Sequence, residues 1–131
     1  MIDKISPTII RKAIEEAKKS SHKSHRLGAV IFSNGTKIIS WGHNHSQRAA
    51  RRVNSKYLKW PKTIHAEVDA ILKSRTDLKR KKILVVRINN HDQFLLAKPC
   101  EWCQLYLKYV GIRHVYYSIN KYPYIEYMRL I

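Results

Sequence analysis

Ile83-Leu84-Val85-Val86-Arg87-Ile88 is the stretch on which the fold turns. It is rich enough in β-branched residues to be a central strand. A basic run, Lys79 to Lys82, leads into it, and the spacing predicts a helix from about His65 to Arg75 before that, carrying Ala66, Val68, Ala70, Ile71 and Leu72. Downstream, Asn89-Asn90-His91-Asp92 reads as a turn and Gln93 to Leu96 as a short extended piece. Pro99 then opens a second helix, Cys100 to Val110, with Gly111 as its C-cap. Arg113 to Ser118 is a further strand, and the tail, Tyr122 to Ile131, reads as a fifth strand or a short helix.

Toward the N-terminus, Ser6 to Lys19 reads as a helix. Ser6 can cap it, Pro7 suits the first position, and Ile9, Ile10, Ala13, Ile14 and Ala17 form its apolar stripe. Gly28 introduces a strand, Ala29 to Ser33; Asn34-Gly35 is a hairpin turn; Thr36 to Trp41 returns. Residues Gly42 to Thr63 show no period and read as a long basic loop, the kind that carries function in a compact domain. Strands alternating with helices after an opening hairpin imply an α/β sandwich, with helices on a mixed sheet. A chain of 131 residues without repeats fits one domain, 1–131.

Apolar residues make up 44% of the chain, which excludes a disordered composition, and no apolar run is long enough to span a bilayer. With no targeting pattern at Met1-Ile2-Asp3-Lys4, the expected compartment is the cytoplasm. Lys and Arg total 26 against 9 acids, a formal charge of +17. No acid lies between Glu16 and Glu67, while Lys18, Lys19, Lys23, Arg26, Lys37, Arg48, Arg51, Arg52, Lys56, Lys59 and Lys62 all do. Such a stretch is either a solvated surface or a phosphate-binding face.

The two cysteines, Cys100 and Cys103, are too few for a secreted disulfide framework and read as a metal clamp or a redox pair. A catalytic zinc needs three protein ligands and an open position. His65, Cys100 and Cys103 offer one nitrogen and two sulfurs, and the predicted helix starts at His65 and Cys100 would stabilise thiolates. Glu67, two residues beyond the histidine, can stand beside the metal and carry a proton from its water to substrate. A redox pair leaves His65 and Glu67 without a role. A structural zinc would need a fourth ligand, for which His43, His45 and His91 are available, but leaves Glu67 idle.

His65-Ala66-Glu67 followed by Pro99-Cys100-Glu101-Trp102-Cys103 resembles the signature of the zinc-dependent cytidine deaminase superfamily. Leu27-Gly28-Ala29-Val30-Ile31 and Ser40-Trp41-Gly42-His43-Asn44 resemble segments of deoxycytidylate and tRNA-adenosine deaminases, and the likeness runs on through Gly111 to Tyr116. The resemblance implies a three-layer α/β/α sandwich with a sheet of about five strands and Zn2+ between two helices. It implies hydrolytic attack on the amino-bearing ring carbon, with Glu67 moving the protons, Asn44 and the backbone of Ala66 holding the base or sugar, and Ala29 flooring the pocket. Relatives are commonly dimers, so a homodimer is an expected partner. The segment Asn89 to Lys98 is longer, and the tail shorter, than the resemblance leads one to expect.

The favoured expectation is a cytosine deaminated to uracil within single-stranded DNA or RNA. Arg48, Arg51, Arg52 and Lys56 would contact phosphates, and Tyr57 and Trp60 would offer stacking platforms. A free nucleotide such as deoxycytidylate, an adenosine in tRNA, or a non-catalytic zinc module that binds nucleic acid are the alternatives. The pairs Tyr106/Tyr109 and Tyr116/Tyr117 are read as packing residues, as are Tyr122, Tyr124 and Tyr127 in preference to a base-binding groove.

Overall fold

The structure is a computed structural model that describes residues 5–20, 24–34, 37–46 and 63–131. Helix α1 (Pro7–Lys18) is followed by strands β1 (Arg26–Phe32), β2 (Ile38–His43), β3 (His45–Ser46) and β4 (Thr63–Ile64). Then come α2 (Ala66–Lys73), β5 (Lys82–Ile88), β6 (Phe94–Leu95), α3 (Glu101–Val110), β7 (His114–Ser118) and β8 (Ile125–Arg129). Ser6 caps α1 by accepting a hydrogen bond from the Thr8 backbone at 3.2 Å, and Gly111 ends α3 with φ +98°.

The main sheet runs β2-β1-β5-β7-β8, with β6 added beside β5. Among the described strands only β5 and β7 are parallel, and the chain between them crosses over through helix α3. A parallel return needs a crossover of about a dozen residues or more. The link 119–124 is too short for one, so β8 turns back antiparallel on β7. The tail is therefore a strand, and the expected five strands are joined by the two-residue β6.

β5 sorts its side chains by alternation. Ile83 and Val85 pack with Ala70 of α2 and Leu107 of α3, while Leu84, Val86 and Ile88 pack with Ile9 and Ala13 of α1. The result is the three-layer sandwich, with α1 on one face of the sheet and α2 and α3 on the other. Two glycines seat the helices. A Cβ at Gly28 would overlap the Ala13 carbonyl oxygen of α1, and one at Gly42 would stand 2.5 Å from the Ala70 nitrogen of α2. Ser40 adds a hydrogen bond to the Ala70 carbonyl at 2.7 Å.

Two expectations need correction. Gly28 lies inside β1 instead of introducing it, because β5 pairs with the whole of Arg26–Phe32. The stretch 42–63 is not loop throughout: β2 runs on to His43, and β3 pairs with β4 at His45↔Ile64 and Ser46↔Thr63. A two-rung ladder has no helical or alternating signature long enough to read in sequence. The tip of the predicted turn, 35–36, lies outside the described residues.

Candidate active site

His65 is the N-cap residue of α2 and Cys100 that of α3, both with extended backbones. Neither side chain caps its own helix, and the two helix starts face each other. His65 Nδ1 lies 3.9 Å from Cys100 Sγ and 3.4 Å from Cys103 Sγ, one helical turn further on. Gln104 fixes the turn, donating through Nε2 to the Pro99 carbonyl at 2.8 Å and through its backbone to Cys100 at 2.9 Å. All three donor atoms lie within 4.8 Å of one another. Zinc bonds of about 2.0 Å to nitrogen and 2.3 Å to sulfur, at tetrahedral angles, put those atoms about 3.5 Å apart. The residues therefore fit Zn2+. Among the described residues no fourth His, Cys, Asp or Glu joins the group. His43 and His45 point to carboxylates instead, Glu16 at 3.3 Å and Asp69 at 3.0 Å. The geometry is that of a site with an open position, the catalytic arrangement.

The electrostatics suit a cation. The Cys100 thiol is lowered to about 4, first by its hydrogen bond from Cys103 and then by His65 against the opposing effect of burial. Cys103 is pushed up by the Cys100 hydrogen bond, by burial and by nearby Glu67. Glu67 is 3% exposed, and burial pushes its carboxyl up although the charge on His65 opposes this. A carboxyl raised by burial holds a proton more readily than a free one, as a group that takes and returns a proton must.

These groups open into a cavity of about 620 Å³. His65, Ala66, Glu67 and Cys100 line one part of it; His25, Leu27, Asn44, His45, Ile64, Arg87 and the segment Leu96-Ala97-Lys98 line the rest. Asn44 is held by its own amide: Oδ1 accepts from the Leu27 backbone at 2.9 Å, and Nδ2 donates to the His25 carbonyl. Ala29 is fully buried in the core and is not among the lining residues, so the floor lies above it. Arg48, Arg51, Arg52, Lys56, Tyr57 and Trp60 lie outside the described residues. Their segment nonetheless leaves and rejoins the described structure at the cavity, since His45 and Ile64 both line it and pair across β3–β4.

Three features went unread in the sequence. Asp69 is buried on α2, where it accepts from the His43 backbone at 3.0 Å, holds His45 Nε2 and pairs with Lys73 at 2.9 Å. Burial raises its carboxyl, but His45, Lys73 and the His43 amide outweigh that, and it lies below its ordinary value. His45 is thereby brought to the cavity as a ring fixed at one nitrogen. Arg87 projects into the cavity from β5. Its signal was available: it is the lone charge in the apolar run Ile83–Ile88. Of the tail tyrosines, Tyr127 packs on Tyr116 and bonds His114 at 2.6 Å, on the α1 side of the sheet, and no tail tyrosine lines the cavity.

The sequence signature of the cytidine and deoxycytidylate deaminase zinc-binding region matches residues 4–119. A search of curated protein sequences gives no significant match. Among solved structures, the apo deoxycytidylate (dCMP) deaminase of cyanophage S-TIM5 superposes with a TM-score of 0.63 at 21% identity, over 88% of this chain and 86% of that one. The same phage enzyme in complex with dCMP and dUMP gives 0.55 at 19% identity, over 88% and 85%. Cytidine deaminase of Burkholderia pseudomallei gives 0.60 at 16% identity, over 93% and 90%. Likeness at such identities is likeness of fold, and it agrees with the layers described above. The chain belongs to the cytidine and deoxycytidylate deaminase family.

Proposed function

We propose that this chain hydrolyses the amino group of a cytosine-type base, consuming water and yielding the uracil-type base and ammonia. The observation that carries this reading is a buried glutamate, Glu67, raised by burial and sharing a cavity with His65 and Cys100 of the three-donor group. Zinc held by His65, Cys100 and Cys103 would supply a Lewis acid that makes water a nucleophile near neutral pH. Glu67 would take a proton from the attacking water, deliver one to the ring nitrogen beside the attacked carbon, and then protonate the departing amino group. The fully buried Ala66 at the start of α2 offers its backbone to the base, and Asn44, held by His25 and Leu27, offers the rest of its amide to the base or sugar.

The substrate that suits the cavity best is a single nucleoside or nucleotide. Its volume of about 620 Å³ falls within the range of small-molecule sites, roughly 300–1,000 Å³. The similar phage enzyme was seen with dCMP and dUMP, which supports the same class here. A second reading, cytosine in single-stranded nucleic acid, is favoured by one observation: positions 47–62, which carry Arg48, Arg51, Arg52, Lys56, Lys59 and Lys62 and no acid, fall between β3 and β4, whose His45 and Ile64 line the cavity.

Ammonia release measured in parallel on deoxycytidylate, deoxycytidine, single-stranded DNA and single-stranded RNA tests the proposal. Activity is expected on at least one. Glu67→Gln should keep zinc and lose turnover by about 10²-fold or more; near-normal turnover overturns the role of Glu67.

A further inference from the structure

Arg87 is held in an unusual way. It stands on β5, the strand at the centre of the sheet, with Leu27 of β1 on one side and Leu95 of β6 on the other. By the alternation that turns Ile83 and Val85 toward α2 and α3, its side chain emerges on the same face as His65 and Glu67, where the cavity opens. Its Nη2 donates to the Ser24 carbonyl at 3.2 Å. Its Nε is buried and has no hydrogen-bond partner among the described residues. None of the ion pairs among the described residues includes Arg87. A guanidinium cannot shed its charge, and a buried donor without an acceptor opposes folding. A central strand position filled by such a group instead of a further Val or Ile is explained by an anion that arrives from outside.

The cavity limits what that anion is. Among the described residues its lining holds one carboxylate, Glu67, against Arg87, Lys98 and the imidazoles of His25, His45 and His65. The fork of a guanidinium matches two oxygens of a phosphate, and an exposed lysine at the rim adds a mobile second cation. From this geometry we infer that Arg87 is the phosphate-binding residue of the cavity, and that the base to be deaminated is presented on a phosphate ester, not as a free nucleoside. The inference rests on the deaminase reading above and adds its substrate class. The phosphate belongs either to a free nucleotide or to the backbone of a strand, and the chemistry at Arg87 is the same for both.

The test is a comparison of zinc-loaded wild type, Arg87→Gln and Arg87→Lys. The primary reading is the ratio of kcat/KM on deoxycytidylate to kcat/KM on deoxycytidine. Wild type should prefer the nucleotide, Arg87→Gln should lower the ratio by about 10²-fold, mostly through KM, and Arg87→Lys should recover part of it. A ratio unchanged by Arg87→Gln overturns the assignment, as does a wild type with no preference for either the nucleotide or a cytosine-containing oligonucleotide. The oligonucleotide arm separates the two phosphate sources. Binding of deoxyuridylate against deoxyuridine, by calorimetry, gives a readout independent of turnover. Selective loss of deoxyuridylate affinity in Arg87→Gln without ammonia release from any substrate would keep the phosphate site and remove the deaminase reading. A folding defect in Arg87→Gln would lower both ligands alike, and Arg87→Lys then decides.

Discussion

Cys103 lies one turn inside α3, 2% exposed, with its sulfur 3.4 Å from His65 Nδ1. Replacing it with alanine leaves two ligands, too few for a stable zinc site. Cys103→Ala is therefore expected to lose most of its zinc on purification, as read by elemental analysis, and full occupancy in that variant would exclude the ligand set. Residues of this kind were legible in the sequence because the metal dictates both residue type and spacing: a histidine, then a cysteine pair one helical turn apart. Asn44 and Ala66 were legible through resemblance alone, since an amide or a small residue has no chemistry that singles it out. Asp69 could not be read. On a helix an acid looks like a solvated side chain, and only the close seating of α2 against Gly42 buries it. Arg87 was visible as a lone charge in an apolar strand, but sequence does not tell a charge that escapes at a sheet edge from one that enters a cavity.

Helix α1 is attached to the sheet by charge as well as by its apolar stripe. Glu16, 1% exposed, accepts from Lys19 at 2.7 Å, faces Lys12 at 3.6 Å and meets His43 of β2 at 3.3 Å. Burial alone would push its carboxyl up. The Lys19 and His43 hydrogen bonds and the charges of Lys19 and Lys12 outweigh burial, and the carboxyl lies below its ordinary value of 4.5. A group lowered on folding contributes stability above its unfolded value, and that contribution disappears as pH falls through the lower, folded one. Denaturant melts should therefore show a loss of stability below about pH 4.5 that is smaller in Glu16→Gln. At pH 7 the same substitution should cost about 1–2 kcal/mol, because Lys19 and His43 lose a charged acceptor. Equal acid sensitivity in the two proteins would remove Glu16 as its source. Long periodic elements such as α1 and β5 were predicted to within a few residues. β6 was read as an extended piece, Gln93 to Leu96, without its pairing to β5, and the pair β3–β4 was not read at all, because each ladder is only two rungs long.

Across the whole molecule the charge of +17 sets a second expectation. A surface of this charge attracts polyanions. If the basic stretch tracks a strand, affinity for single-stranded DNA should fall by about 10²-fold or more between roughly 50 and 200 mM salt for six neutralised phosphates, at a slope of about −0.7 per phosphate. Salt-insensitive binding would leave the free nucleotide as the substrate. The layer order was legible from alternating helices and strands, whereas the antiparallel direction of the tail on β7 followed from the shortness of 119–124, a constraint of chain reach.

The two-rung ribbon β3–β4 has a consequence for how such a protein can change. It ties His45 to Ile64, so positions 47–62 begin and end at one fixed doorway whatever sequence fills them. The reacting groups stand behind that doorway on α2 and α3, whose starts are fixed by other contacts. Exchange of positions 47–62 is therefore expected to leave His65, Glu67, Cys100 and Cys103 in place, which makes the segment a natural site for diversification.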